Sequence, residues 1–217
     1  MEEQYYENIL NIKTSGKQEL EEATRYYNRY EPTDYQALNK LFEEYKLNNT
    51  DSVVDFGCGK GRLNFYLNYL FKCNITGIEM NKYFYKQALI NKKYYLEKYN
   101  IDENKINFVC ELAEKYEVKP EDNKFYFFNP FSIEIFMKVI DNIIGSVYEN
   151  KRNIEIILFY PSDDYIFFLE QYTFFIIKKE VRLENFKNDS RDRFVIYKLA
   201  YIYKDFFLVM SCNINYC

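Results

Sequence analysis

A chain of 217 residues fits one hydrophobic core, since single cores stop growing at about 250–300 residues, and 48% hydrophobic with 29% charged residues excludes a disordered polymer. The formal net charge of −4 supplies no global basic field of the kind that drives nonspecific nucleic-acid binding. There is no histidine, which removes the commonest general base and every Ser-His or Cys-His dyad, and five scattered cysteines (Cys58, Cys73, Cys110, Cys212, Cys217) without a CxxC pair predict reduced thiols and no metal site.

The opening MEEQYYENIL is acidic and lacks the basic and apolar regions of a secretory signal, and no apolar run approaches the roughly 20 residues of a membrane span. The expected location is the cytoplasm. Residues up to about Lys46 are predicted helical, broken at Pro32 and restarted by a cap at Thr33 or Asp34, with Tyr35, Leu38, Leu41, Phe42 and Tyr45 on one helical stripe. After Asp51 the pattern alternates. SVVDF reads as a strand, a glycine turn follows, then a helix from about Arg62 to Phe71 and a second strand, NITGIEM. A helix from Lys82 to about Tyr99, the strands KINFVC and KFYFFN, the helix IEIFMKVIDNIIGSVY and the strand NIEIILFY come next. A short helix, DDYIFFLEQY, leads into TFFIIKKEVRL and RFVIYKLAYIYK, two strands separated by the polar ENFKNDSRD.

Strands alternating with helices imply a mostly parallel sheet with right-handed crossovers, and two closing strands without a helix imply an antiparallel hairpin at one edge. The predicted class is α/β: a three-layer Rossmann-like sandwich on a seven-stranded, mostly parallel sheet with an antiparallel edge strand. No linker or repeat divides the chain, so one domain is expected over residues 1–217. It comprises a helical cap over 1–50, the core over 51–200 and a tail over 201–217 that reads as a further strand or a disordered end. With 24 Tyr, 20 Phe and no Trp, much of the tyrosine is expected half exposed, ring packed and hydroxyl wet.

The chemistry concentrates in VVDFGCGKGRL. Dinucleotide folds use GxGxxG, but Gly57, Gly59 and Gly61 are spaced GxGxG and Arg62 stands where the third glycine of that fingerprint would be. Asp55, two residues before the first glycine, would repel a pyrophosphate and attract an ammonium or sulfonium. About 20 residues on, Glu79 in TGIEMN ends the second strand, where a carboxylate can accept both ribose hydroxyls. An adenosine-like cation without phosphate describes S-adenosylmethionine (SAM).

On these two motifs and their separation, the stretch from about Tyr30 to Leu199 resembles the class I SAM-dependent methyltransferases, of small bacterial type. The resemblance implies that the backbone of Phe56, Gly57, Cys58 and Gly59 touches the cofactor, that Asp55 lies near its ammonium, and that Met80 packs on adenine. It implies that Leu112 and Ala113 in CELAEKY frame the adenine through backbone groups, although the family's usual acid is absent there. RYEPTDY resembles the lead-in that closes over the cofactor, which brings in Thr33. FFNPFS resembles the Asn-Pro-Pro-Tyr signature of amino methyltransferases with one proline missing, and implies that Asn129 and Pro130 hold a nitrogen nucleophile. Read without the resemblance, Asn129 and Pro130 form a turn into a helix capped by Ser132, Thr33 caps a helix, and Cys58 is a small buried side chain. Tyr160, Ser162 or Asp163 in YPSDDY lines the acceptor pocket or, equally, Ser162 or Asp163 caps a helix.

Methyl transfer needs orientation and desolvation more than acid–base machinery, which suits a chain without histidine. The expected function is a SAM-dependent methyltransferase acting on a small molecule or protein, nitrogen acceptor preferred, with no strong nucleic-acid signal and no membrane. The alternatives are a non-catalytic SAM-binding sensor or partner module and an NAD-dependent oxidoreductase, the latter disfavoured by the glycine spacing and Asp55.

Overall fold

The computed structural model describes residues 2–16 and 31–200. The 201–217 tail, Cys212, Cys217 and the start of RYEPTDY lie outside the described residues. Among the described residues no helix is long and apolar enough to cross a membrane.

Of the predicted helical N-terminus, the described residues contain α1 (Glu2–Leu10) and α2 (Tyr35–Glu44). Helix α1 stops where Asn11 takes a left-handed φ of 55°, a conformation asparagine tolerates, and residues 11–16 run on without helix. Buried Glu7 holds that segment: its carboxylate accepts from the Thr14 amide and hydroxyl (both 2.6 Å) and the Ser15 amide (2.8 Å). Of the two expected caps of α2, the structure uses Asp34, whose carboxylate accepts from the Gln36 amide at 2.9 Å.

The sheet has seven strands: β1 (Ser52–Phe56), β2 (Asn74–Ile78), β3 (Ile106–Val109), β4 (Lys124–Phe127), β5 (Glu155–Phe159), β6 (Phe175–Arg182) and β7 (Arg193–Leu199), ordered β3-β2-β1-β4-β5-β7-β6. The first five are parallel. The closing hairpin stands at the edge as expected, and its inner member β7 is the reversed strand, antiparallel to both β5 and β6. Four helices make the connections: α3 (Arg62–Phe71), α4 (Lys82–Lys98), α5 (Ile133–Glu149) and α6 (Asp163–Tyr172). The chain leaves β1 toward β2 and β3, then returns to place β4 on the other side of β1. A crevice therefore opens at the carboxyl ends of β1 and β4.

Strand alternation sends side chains to two apolar layers. One joins Val53, Ile75 and Ile157 to Leu10, Leu38, Leu41 and Phe65; the other joins Val54, Phe56, Phe125 and Phe127 to Phe136, Val139, Ile140 and Ile143. β1 and β5 are buried along their whole length, as strands covered on both faces must be. Half-exposed tyrosines are present as expected, Tyr5, Tyr83, Tyr94 and Tyr148 among them, but Tyr35, Tyr66, Tyr95, Tyr165 and Tyr197 are among the largest fully buried side chains. In a core without tryptophan they supply the bulk, and several hydroxyls find internal acceptors, as Tyr95 does on Asn68 (3.1 Å) and Tyr197 on Glu170 (2.9 Å).

Candidate functional site

The three glycines after β1 all have left-handed φ, 78° at Gly57, 55° at Gly59 and 85° at Gly61, so the chain reverses tightly into α3. The amides of Gly57 and Cys58 both donate to the Ile78 carbonyl (2.9 and 3.1 Å), which ties the turn to the end of β2. The spacing also answers to packing. A Cβ on Gly57 would lie 2.8 Å from Cβ of Pro130, and one on Gly61 would lie 2.7 Å from the Phe108 ring. Gly77 in β2 makes room for Cys58, whose Sγ would be 2.6 Å from a Cβ there. Burial pushes the Cys58 thiol well above its ordinary value, as befits a small packed side chain and not a nucleophile.

Two carboxylates flank this turn. Asp55 is 4% and Glu79 8% exposed. Glu79 accepts the Gly59 amide at 2.9 Å on one oxygen and the Asn81 amide at 2.7 Å on the other, leaving each oxygen further lone pairs. Burial raises its pKa against the pull of those amides. Asp55 is raised to about 8, by desolvation first and the Glu79 charge second. The orientation that satisfies the buried Asn64 amide of α3 puts its nitrogen 3.1 Å from Asp55 and its oxygen 3.3 Å from the Gly77 amide. Among the described residues no lysine or arginine forms an ion pair with either acid.

Beyond Glu79 lies the third predicted motif. The Glu79 amide donates to the Val109 carbonyl at 3.0 Å, so the residues after β3 sit beside it. Leu112 is extended, and Ala113 opens a 3-10 turn over 113–115 and is buried in the layer that contains Phe56 and Ile78. Met80 is half-buried.

On the other side of β1, β4 and β5 end alike. Phe127 pairs with Leu158, and continuing that register sets Asn129 opposite Tyr160; the rings of Phe128 and Phe159 are 4.4 Å apart. Asn129 and Tyr160 each have left-handed φ (40° and 49°) and each precedes a proline. Non-glycine residues in this region carry local strain, which the surrounding structure must hold in place. Ser162 caps α6, accepting from the Tyr165 amide at 3.3 Å. Ser132 occupies the same place before α5, but its hydroxyl makes no cap and is buried with no partner among the described residues. The expected Ser132 cap is thus positional only.

A family described as a methyltransferase domain matches residues 33–125. The match runs from the lead-in of α2 into β4 and takes in the glycine turn, Asp55 and Glu79. No curated protein sequence matches it. Solved structures give the same fold: an RNA methyltransferase from Salinibacter ruber in complex with S-adenosyl-L-homocysteine (16% identity, TM-score 0.55, 80% of this chain and 97% of that one), a dimethyladenosine transferase from Plasmodium falciparum (17%, 0.56, 84% and 67%), and a SAM-dependent methyltransferase from Aquifex aeolicus (14%, 0.54, 75% and 89%).

The residues present fit SAM on one observation. Asp55 and Glu79 are buried close enough to raise the Asp55 pKa and, among the described residues, form no ion pair with a lysine or arginine, an arrangement that a bound ammonium relieves. Of the other predicted residues, Thr33 is buried with its hydroxyl 2.8 Å from that of Tyr126, and Tyr126 is the register neighbour of Asp55. Around these positions the structure also places residues that sequence reading missed: Asn64, which holds Asp55; Tyr126, which holds Thr33; and Arg62, buried at the start of α3. A signal was present in RLNFYLN, where Asn64 and Asn68 interrupt a helix whose first seven residues are all buried.

Proposed function

We propose that the methyltransferase binds SAM across the carboxyl ends of β1, β2 and β3 and presents its methyl group to a nitrogen nucleophile at the end of β4. Bound SAM supplies a methyl group on a positively charged sulfur, ready for in-line displacement. Asp55 holds the ammonium, the backbone from Phe56 through Cys58 to Gly59 runs along the methionine part, and Glu79 accepts the two ribose hydroxyls. Met80 and the backbone of Leu112 and Ala113 frame adenine, while Thr33 closes the methionine end from the N-terminal side. The proposal treats residues 1–217 as one domain, with 1–50 as its cap.

Support for the acceptor side rests on one contact: Pro130 lies against Gly57, so closely that a Cβ on the glycine would reach it at 2.8 Å. Asn129 is therefore tied to the cofactor turn rather than to a remote loop. Its amide oxygen accepts a hydrogen bond from an attacking amine and keeps the lone pair directed at the methyl carbon; Pro130 fixes the turn that carries it. A neutral amine needs no base to attack, and its surplus proton leaves to water afterwards, so the absence of histidine costs nothing.

The test exploits the φ of 40° at Asn129. Asn129→Gly keeps a turn that glycine adopts freely and deletes only the amide. Labelled SAM incubated with fractionated extract of the source cells identifies an acceptor. Turnover of Asn129→Gly on it is expected to fall by on the order of 10²-fold with SAM affinity within a few fold of the parent. Normal turnover would reduce Asn129 to a turn residue.

A further inference from the structure

Arg62 follows the last glycine of the turn and is 4% exposed, yet its polar contacts among the described residues point away from the cofactor crevice. Its guanidinium collects the N-terminal segment instead. Nε donates to the Thr14 hydroxyl at 2.8 Å and Nη1 to the Thr33 carbonyl at 3.3 Å. Nη2 pairs with Glu3 and lies 3.5 Å from Glu7, and the guanidinium carbon sits 4.7 Å from the centre of the Tyr35 ring. The N-terminal segment, α1 with residues 11–16, and the lead-in to α2 thus meet on one buried cation.

The same segment grips the turn at Lys60. Lys60 Nζ donates to the Ser15 carbonyl at 2.9 Å, and the Asn91 amide nitrogen of α4 donates to the carbonyls of both Lys13 (3.1 Å) and Lys60 (3.0 Å). Asn91 also accepts from the Lys13 amide at 2.9 Å. The glycine turn is therefore bracketed by 13–15 on its outer side and anchored to Glu79 through Gly59 on its inner side. A second line runs from Arg62 through Thr33 to the Tyr126 hydroxyl beside Asp55. Buried charge makes this contact all-or-none: Glu7 and Arg62 are tolerable inside the protein only while each satisfies the other and their hydrogen-bonding partners.

We propose that Arg62 is a positioning residue of the cofactor site, through which docking of residues 2–16 and binding of SAM become one coupled equilibrium. What fixes the turn from outside fixes it for the ligand, and by reciprocity the ligand must tighten the docked segment by the same factor. The inference rests on the cofactor placement above.

The experiment measures amide hydrogen exchange in peptides from 2–16 and from 52–61, with and without S-adenosyl-L-homocysteine, alongside calorimetric affinity. In the parent protein both peptides are expected to slow on ligand addition. In Arg62→Lys, which keeps the charge and loses the fork, the response of 2–16 disappears while that of 52–61 persists, and affinity falls by roughly tenfold, within the usual range of coupling between sites. Thr14→Val, which removes the Nε acceptor and spares the cation, is expected to do the same more weakly, and it serves should Arg62→Lys not fold. A merely structural Arg62 would lower the melting temperature without changing how 2–16 responds to ligand. Protection of 52–61 with none at 2–16 in the parent overturns this inference alone; no protection at either peptide overturns the cofactor placement along with it.

Discussion

The two halves of the crevice hold their chemistry in opposite ways. On the β1–β2 side the strain is electrostatic: Asp55 and Glu79 are buried together with no paired lysine or arginine among the described residues, while the backbone around them uses glycines that adopt left-handed φ at little cost. On the β4–β5 side the charges are settled and the strain is conformational. Tyr160 donates to Asp189 and receives from Arg191 at 3.0 Å, with the Arg191 guanidinium 4.6 Å from its ring centre, yet Tyr160 and Asn129 carry left-handed φ before proline. An unpaired acid is completed by a ligand that brings charge. A strained backbone is kept for the direction in which it aims a group. The cofactor half is thus built to gain from binding, and the acceptor half to hold a geometry.

The sharpest break in this comparison is Glu79→Ala. It removes the proposed ribose acceptor and also the partner of the Gly59 and Asn81 amides. With roughly 1.5–3 kcal/mol for each hydrogen bond to a charged group, S-adenosyl-L-homocysteine affinity is expected to fall by about 10²-fold or more by calorimetry. Unchanged affinity would place the ribose elsewhere.

Next in size is a pH effect confined to the cofactor half. The folded-state pKa of Asp55, about 8, exceeds its unfolded value, so the folded protein holds the extra proton between about pH 4 and 8. Native stability from this group is therefore greatest at low pH and falls as pH rises through that window. A bound ammonium favours the carboxylate, so affinity should change in the opposite sense, rising with pH by up to about tenfold per unit between pH 6 and 7.5. Titrations in buffers of different ionisation enthalpy should register proton release on binding. Asp55→Asn should flatten the dependence, and a slope that survives the substitution would assign it to another group.

These two halves were not equally legible. The cofactor half was open to inspection because its constraints are local: three glycines need left-handed φ within five residues, and an acid at the end of β2 is a fixed distance along the chain. The mostly parallel sheet and its closing hairpin followed from alternation, and α3 and α6 fall where the periodicity puts them. The break in helix at residues 11–16 had no sequence signal because what stops α1 is tertiary. Glu7 folds the chain back onto itself, and the partner for that charge, Arg62, is 55 residues away in sequence. Tyr126 was invisible for the same reason, and Asn64 showed only as a polar residue interrupting an otherwise apolar helix, since each acts through a neighbouring strand or helix. The strain at Tyr160 has no signal beyond the proline that follows it.

Gly57→Ala joins the two halves. The added methyl would stand 2.8 Å from Pro130 on a backbone with φ of 78°, and neither side can give way without moving the turn or the Asn129 segment. A loss of about 1–3 kcal/mol in unfolding free energy is expected, together with lower turnover on an identified acceptor. A neutral result would mean that the Pro130 contact is slack and Asn129 is not positioned by it.

The smallest expected effect tests the claim that charge on the acceptor half is already settled. Tyr160→Phe deletes the hydroxyl shared by Asp189 and Arg191 but leaves those two paired at 3.1 Å and leaves the ring under the guanidinium. The site is half-exposed, so water replaces the lost hydrogen bonds, and the unfolding free energy should change by no more than about 0.5 kcal/mol. Affinity for S-adenosyl-L-homocysteine should not move at all, because Tyr160 stands at the end of β5, two strands from β1. A large loss of stability would show that the hydroxyl is what holds the left-handed backbone in place. A loss of cofactor affinity would show that the two halves are not separate, and that the acids at β1 and β2 feel the polar cluster across the crevice.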